Sequence, residues 1–205
     1  MKIVCIGRNY VAHIEELKNE MPVEPVFFMK PDSALLKGNR PFTIPAWSSN
    51  LHYEIELVLR ISKTGKHLSR EEAGKLFGEI GLGIDFTARD IQHQLSSKGL
   101  PWEKAKAFDQ SAVLGSAFLP LAAFSDLPGV PFRLDVNGKT VQQGHSGLMI
   151  FSFEEILVHV SRYVTFRRGD LVYTGTPAGV GPVLPGDHLE GWLGTDKLLD
   201  FYCNG

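Results

Sequence analysis

Apolar and polar residues alternate most regularly over 51–61, where Leu51, Tyr53, Ile55, Leu57, Leu59 and Ile61 share one side. A period of two predicts a β-strand with that side packed. Shorter apolar runs at 3–6 and 80–86 predict two more strands, and Pro22, Pro25 and Pro31 confine 26–29 to a short extended piece. A helix is expected over about 10–17. Ser69-Arg70-Glu71-Glu72 is a capping box that opens a second, running to about 77. Another helix should cover about 87–97, closed by Gly99 and Pro101. Ser152-Phe153-Glu154-Glu155 is a second capping box, with Phe153, Ile156, Leu157 and Val160 at helical spacing. Asn137-Gly138 between 132–136 and 139–142 predicts a tight hairpin. Short strands at 170–173, 188–192 and 198–202 complete a mixed α/β, β-rich pattern without a βαβ rhythm.

Composition narrows the class. Of 205 residues, 43% are hydrophobic and 21% charged, as in an ordinary globular protein. Glycine and proline are spread evenly, so one domain over 1–205 is expected. A net charge of −2 leaves no basic footprint for nucleic acid. Cys5 and Cys203 match no zinc spacing and are expected as reduced, packed thiols. The apolar start is too short for a signal segment, and no apolar run approaches ~18 residues, so no membrane span and a cytoplasmic location are expected.

On the strand over 51–61, Glu54 and Glu56 project from one face. Carboxylates so placed repel each other unless a positive charge lies between them, and a hard divalent cation with oxygen ligands would supply it. A half-solvated strand with its acids in water is the plainer alternative. Asp85 ends the apolar run Gly81-Leu82-Gly83-Ile84 just before a helix, as an N-cap or as a third inward carboxylate. His13 and Glu16 stand three apart, so on a helix the carboxylate reaches one imidazole nitrogen. That suits a general base as well as a surface contact.

Taken together, these segments resemble the fumarylacetoacetate hydrolase family, in its short acylpyruvase-like members. The resemblance rests on Gly7-Arg8-Asn9-Tyr10 with His13 and Glu16, Lys30-Pro31, and His52-Tyr53-Glu54-Ile55-Glu56-Leu57. It continues through Asp85-Phe86-Thr87-Ala88-Arg89-Asp90, Pro101-Trp102 with Lys106, Thr174-Gly175-Thr176-Pro177 and Gly179-Val180-Gly181-Pro182. It implies a rolled, mixed β-sheet with peripheral helices and a homodimer. It also implies Mg²⁺ or Mn²⁺ on Glu54, Glu56 and Asp85, a water-activating pair in His13 and Glu16, and a substrate-facing Lys106. Arg8, Tyr10, Arg89, Gln92 and Thr174 fall at expected substrate contacts. Ala107 departs from the family, where a small polar residue is common.

The implied substrate is a small 2-oxo acid. The reaction expected first is hydrolytic C–C cleavage of an acylpyruvate such as fumarylpyruvate. Decarboxylation of oxaloacetate or isomerisation of an unsaturated 2-oxo diacid (2-hydroxyhepta-2,4-diene-1,7-dioate) is the alternative, and a non-catalytic 2-oxo acid binder belongs to another class. Lys106 would otherwise be a surface lysine, and Arg89 either a solvated helix residue or a bidentate partner for a substrate carboxylate. The glycines over 174–181 lack the ending of a phosphate loop. They suit a tight connection, or backbone amides brought close to a ligand.

Overall fold

The computed structural model describes every residue except 19 and 126–128. In chain order its elements are β1 (Ile3–Gly7), α1 (Val11–Glu16), β2 (Val26–Lys30), β3 (Leu35–Lys37), β4 (Phe42–Thr43), β5 (Leu51–Tyr53) and β6 (Ile55–Arg60). There follow α2 (Arg70–Gly74), β7 (Glu79–Asp85), β8 (Thr87–Ala88), α3 (Arg89–Ser96), α4 (Glu103–Lys106) and β9 (Ala112–Pro120). The chain closes with β10 (Pro131–Val136), β11 (Lys139–His145), α5 (Phe153–Ser161), β12 (Leu171–Tyr173), β13 (Gly181–Pro182), β14 (His188–Leu193) and β15 (Asp196–Asn204).

A mixed seven-stranded sheet runs β2-β1-β12-β6-β7-β9-β3, and a five-stranded one runs β11-β10-β14-β15-β4. A small sheet, β13-β5-β8, completes the β-structure. Ile55, Leu57 and Leu59 of β6 enter an apolar cluster shared with Ile156 and Leu157 of α5 and with Leu134, Leu189 and Leu199 of the five-stranded sheet. The other face of the large sheet is also covered: Cys5, Val58, Ala112, Leu114 and Tyr173 form a second cluster there. Glu54, just before β6, and Glu56 within it are buried and do not face water as a half-solvated strand would have them. Both cysteines are free and buried, Cys5 in the large sheet and Cys203 in the five-stranded one. No helix among the described residues is long and apolar enough to cross a membrane.

Local chemistry explains the elements. Both expected capping boxes form, at Ser69 with Glu72 and at Ser152 with Glu155. Asn137 and Gly138 both take left-handed φ, 52° and 76°, and turn β10 into β11. The expected strand over 51–61 is broken at Glu54, because the Ile55 N–H donates to the Gln142 side chain at 3.0 Å rather than to a neighbouring strand. The helix expected from 87 starts at Arg89, since Thr87 and Ala88 pair with His52 and Leu51 of β5. Asp85 is thus not that helix's N-cap, a place held by Ala88.

Candidate metal and acid–base site

The site lies where β6 and β7 end side by side. Register places Glu56 opposite Gly83 and Ile55 opposite Ile84, and the Asp85 N–H donates to the Glu54 carbonyl at 2.8 Å. Oxygens of Glu54, Glu56 and Asp85 lie within 4.8 Å of one another, and all three residues are buried. At that spacing and an effective dielectric near 20, each pair of charged carboxylates repels by roughly 3–4 kcal/mol. The fold answers with cations. Lys106, buried on α4, donates to Glu54 Oε2 at 2.7 Å, Asp85 Oδ2 at 2.8 Å and Thr87 Oγ1, so all three ammonium protons are placed. Lys30 pairs with Asp85 Oδ1 at 2.7 Å and is held by Ser111 and by the Lys106 carbonyl. Arg89 pairs with Glu54 and donates to Gln92 Oε1 at 2.6 Å.

The three carboxylates differ in their surroundings. Burial alone would raise the Glu54 pKa, but Lys106 and Arg89 outweigh it and hold the group well below the usual carboxylate range. Burial and the neighbouring Asp85 push Glu56 well up. Glu56 accepts one backbone N–H, from Gly175 at 2.7 Å, and among the described residues no ion pair reaches it. A buried, all-oxygen set whose least compensated member carries no cationic side chain fits a hard divalent ion.

His13 is buried on α1, its Nδ1 3.4 Å from Glu16 Oε2. Burial lowers its pKa below the ordinary value, against the opposing pull of Glu54. Glu16 is exposed and is held by the Gly179 N–H at 3.1 and 3.2 Å to its two oxygens. Gly179 has φ 97°, and a Cβ there would lie 2.2 Å from the Val141 carbonyl oxygen, so the loop makes this approach only with glycine. The amides of 174–181 thus serve Glu56 and Glu16.

A cavity of about 270 Å³ brings together Arg8, His13, Glu54, Glu56, Asp85, Arg89, Gln92 and Lys106. Two expected contacts are not among its walls. Thr174 is buried and turns its hydroxyl to the Leu57 carbonyl at 3.0 Å, while Thr176, two residues on, lines the cavity. Tyr10 packs its ring edge-on against Phe132 at 6.3 Å, away from the lining. Arg89, expected as a free partner for a substrate carboxylate, is committed to Glu54 and Gln92.

Two members were not singled out from the sequence. Lys30 entered only as part of a motif, and its apolar run, Val26-Phe27-Phe28-Met29, is the signal that its ammonium would be buried. Gln142 had no local signal. It is buried, accepts from Ile55 N–H, and donates to Thr176 Oγ1 and the Pro177 carbonyl at 2.8 and 2.9 Å.

The family model described as fumarylacetoacetate (FAA) hydrolase C-terminal matches residues 2–198. The chain belongs to the fumarylacetoacetate hydrolase family. It is 41% identical over 189 residues to the oxaloacetate tautomerase YcgM of Escherichia coli (strain K12), covering 92% of this chain and 86% of that protein. To a mitochondrial oxaloacetate decarboxylase of Dictyostelium discoideum it is 40% identical over 202 residues, 98% of this chain and 92% of the other. A solved structure of fumarylpyruvate hydrolase from Pseudomonas aeruginosa, in complex with Mn²⁺ and pyruvate, superposes with a TM-score of 0.92 at 35% identity, covering 100% of this chain and 89% of that one. The mixed, sheet-rich architecture expected from the sequence is this family's fold. Among the relatives, tautomerase and decarboxylase names stand nearer than the hydrolase name, which shifts the weight away from the hydrolysis expected first.

Proposed function

We propose that this chain interconverts the keto and enol forms of oxaloacetate, using Mg²⁺ or Mn²⁺ held by Glu54, Glu56 and Asp85. The observation that carries this reading is that the three buried carboxylates and the His13 imidazole line one cavity of about 270 Å³. A bound divalent ion supplies Lewis acidity that polarises a 2-oxo acid's carbonyl and acidifies its C3 protons. His13 moves the C3 proton. Glu16 engages Nδ1, which leaves Nε2 as the working atom, and the lowered pKa keeps the imidazole neutral near pH 7. Lys106 acts through its fixed charge, because its three N–H bonds are already used on Glu54, Asp85 and Thr87. Thr176 and Gln92 line the same cavity. The relatives named as oxaloacetate tautomerase and oxaloacetate decarboxylase support the choice of substrate.

Hydrolysis of an acylpyruvate is the second reading, favoured by the Glu16–His13 pair, which serves a water molecule as readily as a C3 proton. The deciding experiment follows three signals on one preparation with Mn²⁺ or Mg²⁺: decay of oxaloacetate enol absorbance, release of CO₂, and cleavage of fumarylpyruvate. Ketonisation well above the buffer rate is expected. Fumarylpyruvate cleavage with no such acceleration would put the second reading in its place. The homodimer implied by the resemblance belongs to this reading, and light scattering at micromolar concentration reads it directly.

A further inference from the structure

The strand pair that leads to the carboxylates comes apart beside them. Along β12 and β6, Leu171 stands opposite Arg60, Val172 opposite Leu59 and Tyr173 opposite Val58. The Thr174 N–H still donates to the Leu57 carbonyl at 3.1 Å. Bonded pairs in an antiparallel ladder recur at every second residue, so the next rung would join Thr176 to Ile55. At Gly175, however, φ is 103° and the chain turns away, its N–H going to Glu56 Oε2 at 2.7 Å.

The amide of Gln142 takes the place of that rung. It reaches over from β11, the edge strand of the five-stranded sheet. Its Oε1 accepts the Ile55 N–H at 3.0 Å, while its Nε2 donates to Thr176 Oγ1 at 2.8 Å and to the Pro177 carbonyl at 2.9 Å. Turned over, the amide would set N–H against N–H and carbonyl against carbonyl, so its orientation is fixed. The peptide N–H that it grips lies between Glu54 and Glu56, and the segment on its other side carries the Gly175 amide that holds Glu56. Were Ile55 and Thr176 to pair directly, the closing ladder would draw Gly175 off Glu56 and Thr176 out of the cavity wall.

We propose that Gln142 is a positioning residue for the metal ligands, a wedge that keeps β6 and the 174–177 segment parted and so holds Glu56 where it joins Glu54 and Asp85. This rests on the divalent-ion reading above, and adds to it a residue contributed by the other large sheet.

The test reads Mn²⁺ affinity by calorimetry beside the melting curve of the metal-free protein. Gln142→Met keeps the side-chain length and loses the amide. Losing a partner that orients a metal ligand costs roughly 10- to 100-fold in affinity, so Mn²⁺ should bind at least about tenfold more weakly. Should the Met variant fail to fold, Gln142→Asn is measured instead, since an amide one methylene shorter cannot span the same partners. In a Glu56→Gln background the same substitution should cost less than about twofold more, because residues that act through one another are not additive. An early melt with unchanged Mn²⁺ affinity would make Gln142 a structural brace alone. A full tenfold loss repeated in the Glu56→Gln background would mean that it does not act through Glu56. Either result overturns the proposal while leaving the metal site standing. Mn²⁺ binding indifferent to Glu56→Gln would instead overturn the ligand set, and this proposal with it.

Discussion

Replacing Gly179 by alanine separates backbone strain from the chemistry that this glycine permits. The new Cβ would stand 2.2 Å from the Val141 carbonyl oxygen, and φ is 97°. Relieving the overlap needs a shift of roughly 1 Å, which would carry the Gly179 N–H from 3.1 and 3.2 Å to beyond bonding range of Glu16. Glu16 then no longer fixes the His13 imidazole. General-base assistance is worth ~10²–10⁴-fold, and loss of an orienting partner forfeits part of that, so kcat should fall about 10- to 100-fold. Gly169→Ala is the control. Its φ is 89° but a Cβ there meets nothing within 4 Å, so it carries only the left-handed strain of about 1–2 kcal/mol. Both variants should melt a few degrees early, at ~2–4 °C per kcal/mol for a chain this long. Only Gly179→Ala should lose rate. Oxaloacetate ketonisation is measured at saturating Mn²⁺ beside the melting curves. Equal rate losses in the two variants, or an unchanged kcat in Gly179→Ala, would refute the claim that this amide holds the base.

Two further outcomes follow from the same geometry. Glu56→Gln removes an anionic oxygen ligand that, among the described residues, no cationic side chain pairs with, so Mn²⁺ affinity by calorimetry should drop at least about tenfold, and unchanged binding would remove Glu56 from the ligand set. Burial disfavours the charged imidazole of His13, so its proton leaves at lower pH than usual; kcat/KM should show an acid limb centred below the ordinary histidine value of 6.5 that is lost in His13→Ala, whereas a limb centred above 6.5 would contradict the assignment.

The sequence was most legible where one short rule governs. Ser69 and Ser152 announced their helices by capping chemistry, and Asn137-Gly138 announced its turn, because each signal sits within a few residues. The alternation over 51–61 identified the apolar face correctly but ran through the break at Glu54, which is set by Gln142, a residue 87 positions from Ile55. The nine-residue β9 left no signal: its first half is buried and its second half largely exposed, so no period of two survives. Glu54, Glu56, Asp85, His13 and Lys106 stood out from their motifs. The commitment of Arg89 to Glu54 and the turning of Thr174 into the sheet depend on tertiary contacts that no local pattern encodes.

The two buried thiols give the molecule a pair of internal reporters. Cys5 sits on β1 at the heart of the large sheet, and Cys203 on β15 beside β4, so they belong to separate hydrogen-bonded sheets. Burial raises both pKa values, that of Cys203 to about 12, so a folded chain presents almost no thiolate to an alkylating reagent. Reagent reaches each sulfur only when its own sheet opens. The two labelling rates, resolved by mass, therefore read the opening free energies of the two sheets separately in one unmodified protein, and show whether the carboxylate-bearing sheet is the last part of the fold to give way.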